Sequence, residues 1–191
     1  MSPALNQHVE RMNVNDKEIF LAIRKHPEEG FRKLMAAYIQ PVYWHIRRMV
    51  SVHADAEDAT QETFVRIYRS IGQHSETGSL RAWIFRIATN EALRLLGQRA
   101  GRTTLSLDDA SAEVLALKQD EWFDSSDKLS AKLQRAIHTL PAKQQATFNL
   151  RYYDDLSYEE IAEVTASTAA AAKANYHVAK EKIINYMHHN D

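Results

Sequence analysis

The chain has 191 residues, 45% apolar and 26% charged, with 5 Gly, 4 Pro and no Cys. That apolar content excludes wholesale disorder, the scarcity of Gly and Pro argues against a turn-rich all-β chain, and the missing thiols exclude disulfides and thiolate metal sites. The net charge of −1 argues against a uniformly basic nucleic-acid binder, but the charge is unevenly placed. Residues 1–100 carry 14 Lys+Arg against 11 Asp+Glu, residues 101–130 carry 3 against 7, and residues 131–191 carry 7 against 7. The start has no continuous apolar stretch of signal-peptide type. No run approaches the ~18 apolar residues of a membrane span. The expectation is a soluble, cytoplasmic chain without membrane insertion.

Residues 17–50 read as helical, with Ile19, Phe20, Ile23, Phe31, Leu34, Met35 and Tyr38 recurring at spacings of three and four. Pro41 should kink or interrupt this stretch. The clearest helix covers 55–71, with Asp55 as its N-cap. One stripe holds Ala56, Ala59, Thr60, Thr63, Phe64, Ile67, Tyr68 and Ile71; the other is polar around Asp58, Gln61, Glu62 and Val65. Gly72–Gly78 is a polar loop, and Ser79 can cap a helix running to about residue 98. That helix turns Leu80, Trp83, Ile84, Ile87, Ala88 and Leu95 inward. It sets Arg81, Arg86, Arg94 and Arg99 against a single acid, Glu91.

Residues 101–130 lose the periodicity and read as an acidic linker with, at most, a short helical turn near 113–117. As a flexible chain this segment spans roughly 30 Å on average. Helicity returns over about 128–139 and again from Pro141, placed at the first helical position. Ser157-Tyr158-Glu159-Glu160 forms a capping box. The short helix behind it, a three-residue turn (165–167) and a last helix from Thr168 suggest a helix-turn-helix. The fold class is therefore all-α: two small helical domains, 1–100 and 131–191, joined by the acidic linker 101–130.

Three surfaces can carry function. On the last helix, Ala172, Tyr176, Ala179 and Ile183 should pack inward. The opposite face offers Thr168, Ala170, Ala171, Lys173, Ala174, Asn175, His177 and Lys180, a small-residue centre with polar flanks that suits the major groove; the same spacing also fits a solvated helix. The arginines of 79–98 form a basic surface of the kind phosphate-directed affinity needs, or an ordinary wet face. Asp58, Gln61 and Glu62 ring the apolar Val65, as in a protein interface, though a solvated face has the same pattern. His177 with Glu181 and the pair His188-His189 raise a metal site, but a zinc centre needs three or four convergent ligands, and no cofactor is expected.

Together and in this order, the motifs resemble one family. Ala56 through Phe64 (AEDATQETF) is similar to the polymerase-binding signature of sigma factors. Leu80 through Asn90 (LRAWIFRIATN) is similar to the segment that reads the −10 element. Leu140 to Tyr152 with Leu156 to Val164 resembles the domain that reads the −35 element. Two helical domains and a linker are the architecture of the extracytoplasmic-function (ECF) group. The resemblance implies no enzymatic activity. It implies core RNA polymerase docking through Asp58, Gln61, Glu62 and Val65, and −10 contacts from Arg81, Arg86 and Asn90, with a flipped base captured by loop 72–79 and the helix around Arg86 and Asn90. It further implies −35 reading by the last helix, a linker threading the polymerase's nucleic-acid channels, and an anti-sigma partner. The chain departs from the family pattern at Ala166, where Gly is usual in the turn, and at Ala169 and Ala172, where Val is usual. Ala in a left-handed turn costs about 1 kcal/mol, so the turn is expected to differ in detail. The alternative is a helix-turn-helix regulator with an N-terminal helical sensor or interaction domain, which would not need the 56–64 pattern.

Overall fold

The computed structural model describes residues 16–50, 52–73, 78–103 and 128–189. The expected turn at 113–117, most of the linker (104–127) and loop residues 74–77 lie outside the described residues. The chain runs as α1 (16–25), α2 (Pro27–Met49), α3 (His53–Ser70), a 3-10 turn (Ile71–Gln73) and α4 (Leu80–Thr103). It continues through α5 (Lys128–His138), α6 (Ala142–Tyr152), α7 (Tyr158–Thr165) and α8 (Ala169–His189). Among the described residues there is no strand.

Four boundaries differ from expectation. Pro41 does not break the second helix, which runs unbroken from Pro27 to Met49. The missing backbone donor there is offset by packing, because Tyr38 and Val42 on either side are fully buried. The break comes instead at Pro27, which takes the first helical position and forces His26 out of the helical region, at φ −141° and ψ 83°. Helix α3 starts at His53 with Val52 as its cap, so Asp55 lies in the first turn and complements the helix dipole there. Pro141 is the cap of α6, at φ −54° and ψ 141°, one residue outside its expected place. Helix α4 runs to Thr103, five residues past its expected end. The expected caps Ser79 and Ser157 are both present. Ala82 N–H donates to Ser79 Oγ at 3.1 Å, and Ser157 and Glu160 make the reciprocal capping box.

Gly30 is buried where α1 meets α2. A Cβ added there would stand 2.2 Å from the Ile23 nitrogen and 2.4 Å from its Cα. Those atoms are backbone and cannot swing aside, so the hairpin closes only on glycine.

The two helical domains share one core. Leu34, Tyr38, Val42, Ile46 and Met49 of α2 join Phe64 and Ile67 of α3, Ile84, Phe85 and Ala88 of α4, and then Leu150, Leu156, Ile161, Val164 and Ala172 from the second half of the chain. A smaller cluster holds Ala136, Ile137, Leu140, Phe148, Ala179 and Ile183 within the second domain. Polar groups complete the joint. Helix α2 ends with carbonyls that have no intrahelical partner, and the Arg48 carbonyl accepts the side-chain amides of Gln134 (3.0 Å) and Gln145 (3.2 Å). The same two amide nitrogens lie 3.1 Å from the ring nitrogens of His138. Burial, with the Arg47 guanidinium as a second cause, pushes the His138 imidazole down to about 4.

Two predictions follow from these contacts. Gly30→Ala should lose about 1–3 kcal/mol of stability, the usual range for overpacking, read as a lowered denaturation midpoint. His138 has a folded pKa below its ordinary 6.5, so its contribution to stability is complete above about pH 6.5 and is lost as pH falls towards 4. Urea melts at pH 7 and pH 4.5 should show a loss of up to about 3 kcal/mol attributable to this group. His138→Asn should remove that part of the pH dependence.

Candidate nucleic-acid interface

Helix α3 buries Ala56, Ala59, Thr60, Thr63, Phe64 and Ile67, the stripe read from the sequence. Thr60 and Thr63 satisfy their hydroxyls on the Ala56 and Ala59 carbonyls, at 2.6 and 2.7 Å. The other face leaves Asp58, Gln61 and Val65 exposed and Glu62 half-buried. Glu62 accepts from Arg66 Nε at 3.0 Å, so its charge is partly committed to its own helix. Tyr68, placed on the inward stripe by its spacing, is 58% exposed and meets the ring of Phe31 edge-on at 5.0 Å.

Helix α4 crosses α3 and forms with it a cavity of about 330 Å³ lined by Arg66, Arg69, Ser70, Ile87, Asn90 and Glu91. Asn90 and Arg86 are exposed on α4. The cavity offers an apolar side (Ile87), a side-chain amide (Asn90) and two guanidinium groups, which together can hold a base by its face and edge and a phosphate by charge. Glu91 is buried and pairs with Arg66 Nε at 2.8 Å and Arg94 Nε at 3.0 Å. The arginines of α4 are therefore not one free basic surface.

Arg81 departs furthest from expectation. It is buried, not exposed, and donates through Nη2 to the Asp154 carbonyl on the α6–α7 turn. The reason is its place at the start of α4, directly under the second domain. The same turn supplies the Asp154 side chain, which accepts from His45 Nδ1 at 2.6 Å and from Arg48 Nη1 at 3.3 Å. His45 Nε2 meets Thr89 Oγ1 at 2.9 Å, and Ser79 Oγ donates to the capping carboxylate of Glu160 at 2.9 Å. Asp16, at the start of α1, accepts from the Tyr38 hydroxyl; burial raises the pKa of both groups. The sequence puts Arg81, Ser79, Glu160 and Tyr38 in other roles and does not single out His45 or Asp154 as partners. The available signal was His45 on an apolar stripe with Tyr38, Val42 and Met49, where a polar side chain needs a partner.

In the second domain, Asn149, Leu150 and Arg151 shape a tight exit from α6. Asp154 N–H and Leu156 N–H return to the Asn149 and Leu150 carbonyls, Asp155 adopts φ 52°, and Arg151 Nη1 donates to the Leu156 carbonyl at 2.9 Å. The turn after α7 keeps the left-handed conformation even though Ala replaces Gly, with Ala166 at φ 49° and ψ 53°. The expected change of turn geometry is not found: the chain accepts the strain. Thr168 caps α8 by accepting from Ala171 N–H at 3.1 Å. Helix α8 buries Ala172, Ala179 and Ile183 and half-buries Tyr176. Ala170, Lys173, Ala174, His177 and Lys180 are exposed, while Ala171 and Asn175 are half-buried at the edge of that face. Among the described residues no three His, Cys, Asp or Glu side chains are grouped to hold a metal ion, His177 and Glu181 included.

Helix α3 presents an exposed polar face around Val65, α3 and α4 frame a cavity at Asn90, and α8 closes a helix-turn-helix with one exposed face. The family model of sigma-70 region 2 matches residues 34–102, and that of sigma-70 region 4 matches residues 130–183. The ECF RNA polymerase sigma-E factor of Haemophilus influenzae is 28% identical over 180 residues, covering 90% of this chain and 95% of the relative. SigW of Bacillus subtilis, another ECF sigma factor, is 26% identical over 180 residues, covering 90% and 96%. Among solved structures, CnrH in complex with the cytosolic domain of CnrY superposes with a TM-score of 0.69 at 16% identity over 93% of this chain and 99% of that one. The sigma factor RpoE of Bartonella quintana, bound to the anti-sigma factor NepR, gives 0.63 at 17% identity over 84% and 98%. The chain belongs to the ECF group of the sigma-70 family.

The strained turn makes its own prediction. Ala166→Gly should raise stability by up to about 1 kcal/mol, because glycine meets no Cβ penalty at positive φ. Thermal melts of the two proteins read this directly, and an unchanged or lowered midpoint would contradict it.

Proposed function

We propose that this chain binds core RNA polymerase and directs it to promoters, as a specificity factor without catalytic chemistry of its own. The observation that carries the reading is the cavity at Asn90, which lies between the helix expected to dock on polymerase and the helix expected to read the −10 element. Residues 1–100 act as the polymerase-binding and −10 domain, 101–130 as the connection, and 131–191 as the −35 domain. Asp58, Gln61, Glu62 and Val65 form the polymerase face. Arg86 and Asn90 serve the displaced strand, with an extruded base seated against Ile87. Arg81 is not counted among the reading residues in this arrangement, because the Asp154 carbonyl holds it.

Helix α8 enters the major groove at the −35 element. Lys173 and Lys180 supply phosphate or guanine contacts, and Ala170, Ala171 and Ala174 allow close approach. Thr168 orders the first turn of that helix, and Asn175 and His177 edge the reading face. The factor works in the cytoplasm and is held in reserve by an anti-sigma protein, as the B. quintana relative is bound by NepR. Among the described residues no helix is long and apolar enough to cross a membrane. A helix-turn-helix regulator with an N-terminal sensor would leave both the α3 face and the cavity without a role.

The test is transcription by reconstituted holoenzyme on matched duplex and premelted promoter templates. Asn90→Ala should reduce discrimination at the −10 element by about 1–3 kcal/mol, roughly 5- to 150-fold, with duplex −35 binding intact. Lys173→Ala should weaken closed-complex formation and flatten the salt dependence by about one unit, while premelted templates are still used. Full rescue of Asn90→Ala by premelting would remove the base-capture role, and failure of the wild-type protein to direct initiation at defined sites would remove the whole reading.

A further inference from the structure

We propose that Glu91 is a positioning residue for strand capture, an acid whose task is to hold Arg66 in place at the cavity, with Arg94 as its second partner. The inference rests on the base-capture reading of Asn90 and assigns the neighbouring residue a role of its own. Glu91 follows Asn90 on α4, is 2% exposed, and lies among the residues lining the cavity. A buried carboxylate is costly unless it is paired with good geometry. Glu91 meets that condition with one partner on each side: its Oε1 takes Arg66 Nε from α3 at 2.8 Å, and its Oε2 takes Arg94 Nε from its own helix at 3.0 Å.

Both arginine side chains are nevertheless about half exposed, at 49% and 44%. Each is tied through Nε, so these contacts leave the paired Nη donors uncommitted, and those are the donors that match a phosphate bidentately. Glu62 reaches the same Arg66 Nε at 3.0 Å, so two carboxylates share that one N–H. An arginine fixed at Nε has already lost the rotamer freedom that a free side chain would lose on binding, so phosphate contact costs less. Glu91 also sets the spacing between α3 and α4, and with it the width of the cavity in which Asn90 meets the base.

The effect has a sign that simple electrostatics does not share. Removing an acid beside a nucleic-acid site should tighten binding to any polyanion. Removing a positioning residue should instead blur selection among bases. The experiment uses reconstituted holoenzyme on premelted templates carrying the matched base or each alternative at the captured −10 position, with Asn90→Ala, Glu91→Gln and Arg66→Lys in parallel. Arg66→Lys keeps the charge but loses the Nε that ties α3 to Glu91 and sets the cavity width; it lies on the surface and reports even if Glu91→Gln fails to fold.

Glu91→Gln and Arg66→Lys should each lower the matched-to-mismatched ratio fivefold or more, with duplex −35 binding unchanged. An unchanged ratio in both, or uniform tightening on every template in Glu91→Gln, would overturn the proposal. If Asn90→Ala also leaves the ratio intact, the capture reading itself has failed. If Asn90→Ala lowers the ratio and the other two do not, only the role of Glu91 is lost.

Discussion

The arrangement of the molecule depends on one carboxylate. Asp154 is 7% exposed and lies on the turn between α6 and α7, yet the partners of its side chain, His45 and Arg48, belong to α2 more than a hundred residues earlier. Its backbone carbonyl takes Arg81 from α4. A buried acid left without partners would be strongly destabilising, so the turn can sit here only with α2 and α4 beneath it. The turn can present Asp154 because Asp155 accepts a left-handed conformation and Arg151 closes the loop onto Leu156. A local turn preference thus becomes the contact that fixes one domain on the other.

The apolar surface around that contact gives the joint its strength, and the polar network gives it its register. Leu150, Leu156, Ile161 and Val164 join the core of the first domain, but burial of apolar area is non-directional. What fixes the angle is a set of directional bonds: the Gln134 and Gln145 amides on the Arg48 carbonyl at the end of α2, Ser79 on the capping carboxylate of Glu160, and the His45–Asp154 pair. Glu160 shows the economy of the scheme, since one carboxylate closes the capping box of α7 and accepts across the joint.

Charge on α4 follows the same logic of commitment. Four arginines against one acid suggest a basic stripe, but the tertiary structure sorts the described ones by partner. Arg81 serves the joint, Arg94 shares Glu91 with Arg66 of α3, and Arg86 remains exposed beside Asn90. A surface that holds DNA through a few placed groups selects among sequences better than one that holds it by bulk charge, because phosphate contacts carry no base information. The final helix has the same character, with alanines in the centre of its exposed face and lysines at its margins.

Much of this was readable in the sequence, and the reason is locality. The stripe on α3, the caps Ser79 and Ser157, the capping box at Glu160 and the inward face of α8 are properties of residues three or four apart. The family motifs lie on those same elements, so the order of the two domains and the exposed positions Asp58, Gln61, Val65, Asn90 and Lys173 followed from them. The left-handed conformation at Ala166 did not follow from the sequence, where Ala in place of Gly led to the expectation of a different turn; the folded chain keeps it at φ 49°. Only the tertiary structure decided the fates of Pro41, Arg81, Glu91 and Asp154. Packing of Tyr38 and Val42 carries the helix through Pro41, and the partners of the three charged groups come from elements that the chain brings together only on folding. Periodicity reports which side of a helix is apolar; it holds no information about which distant helix covers that side, or which charge arrives with it.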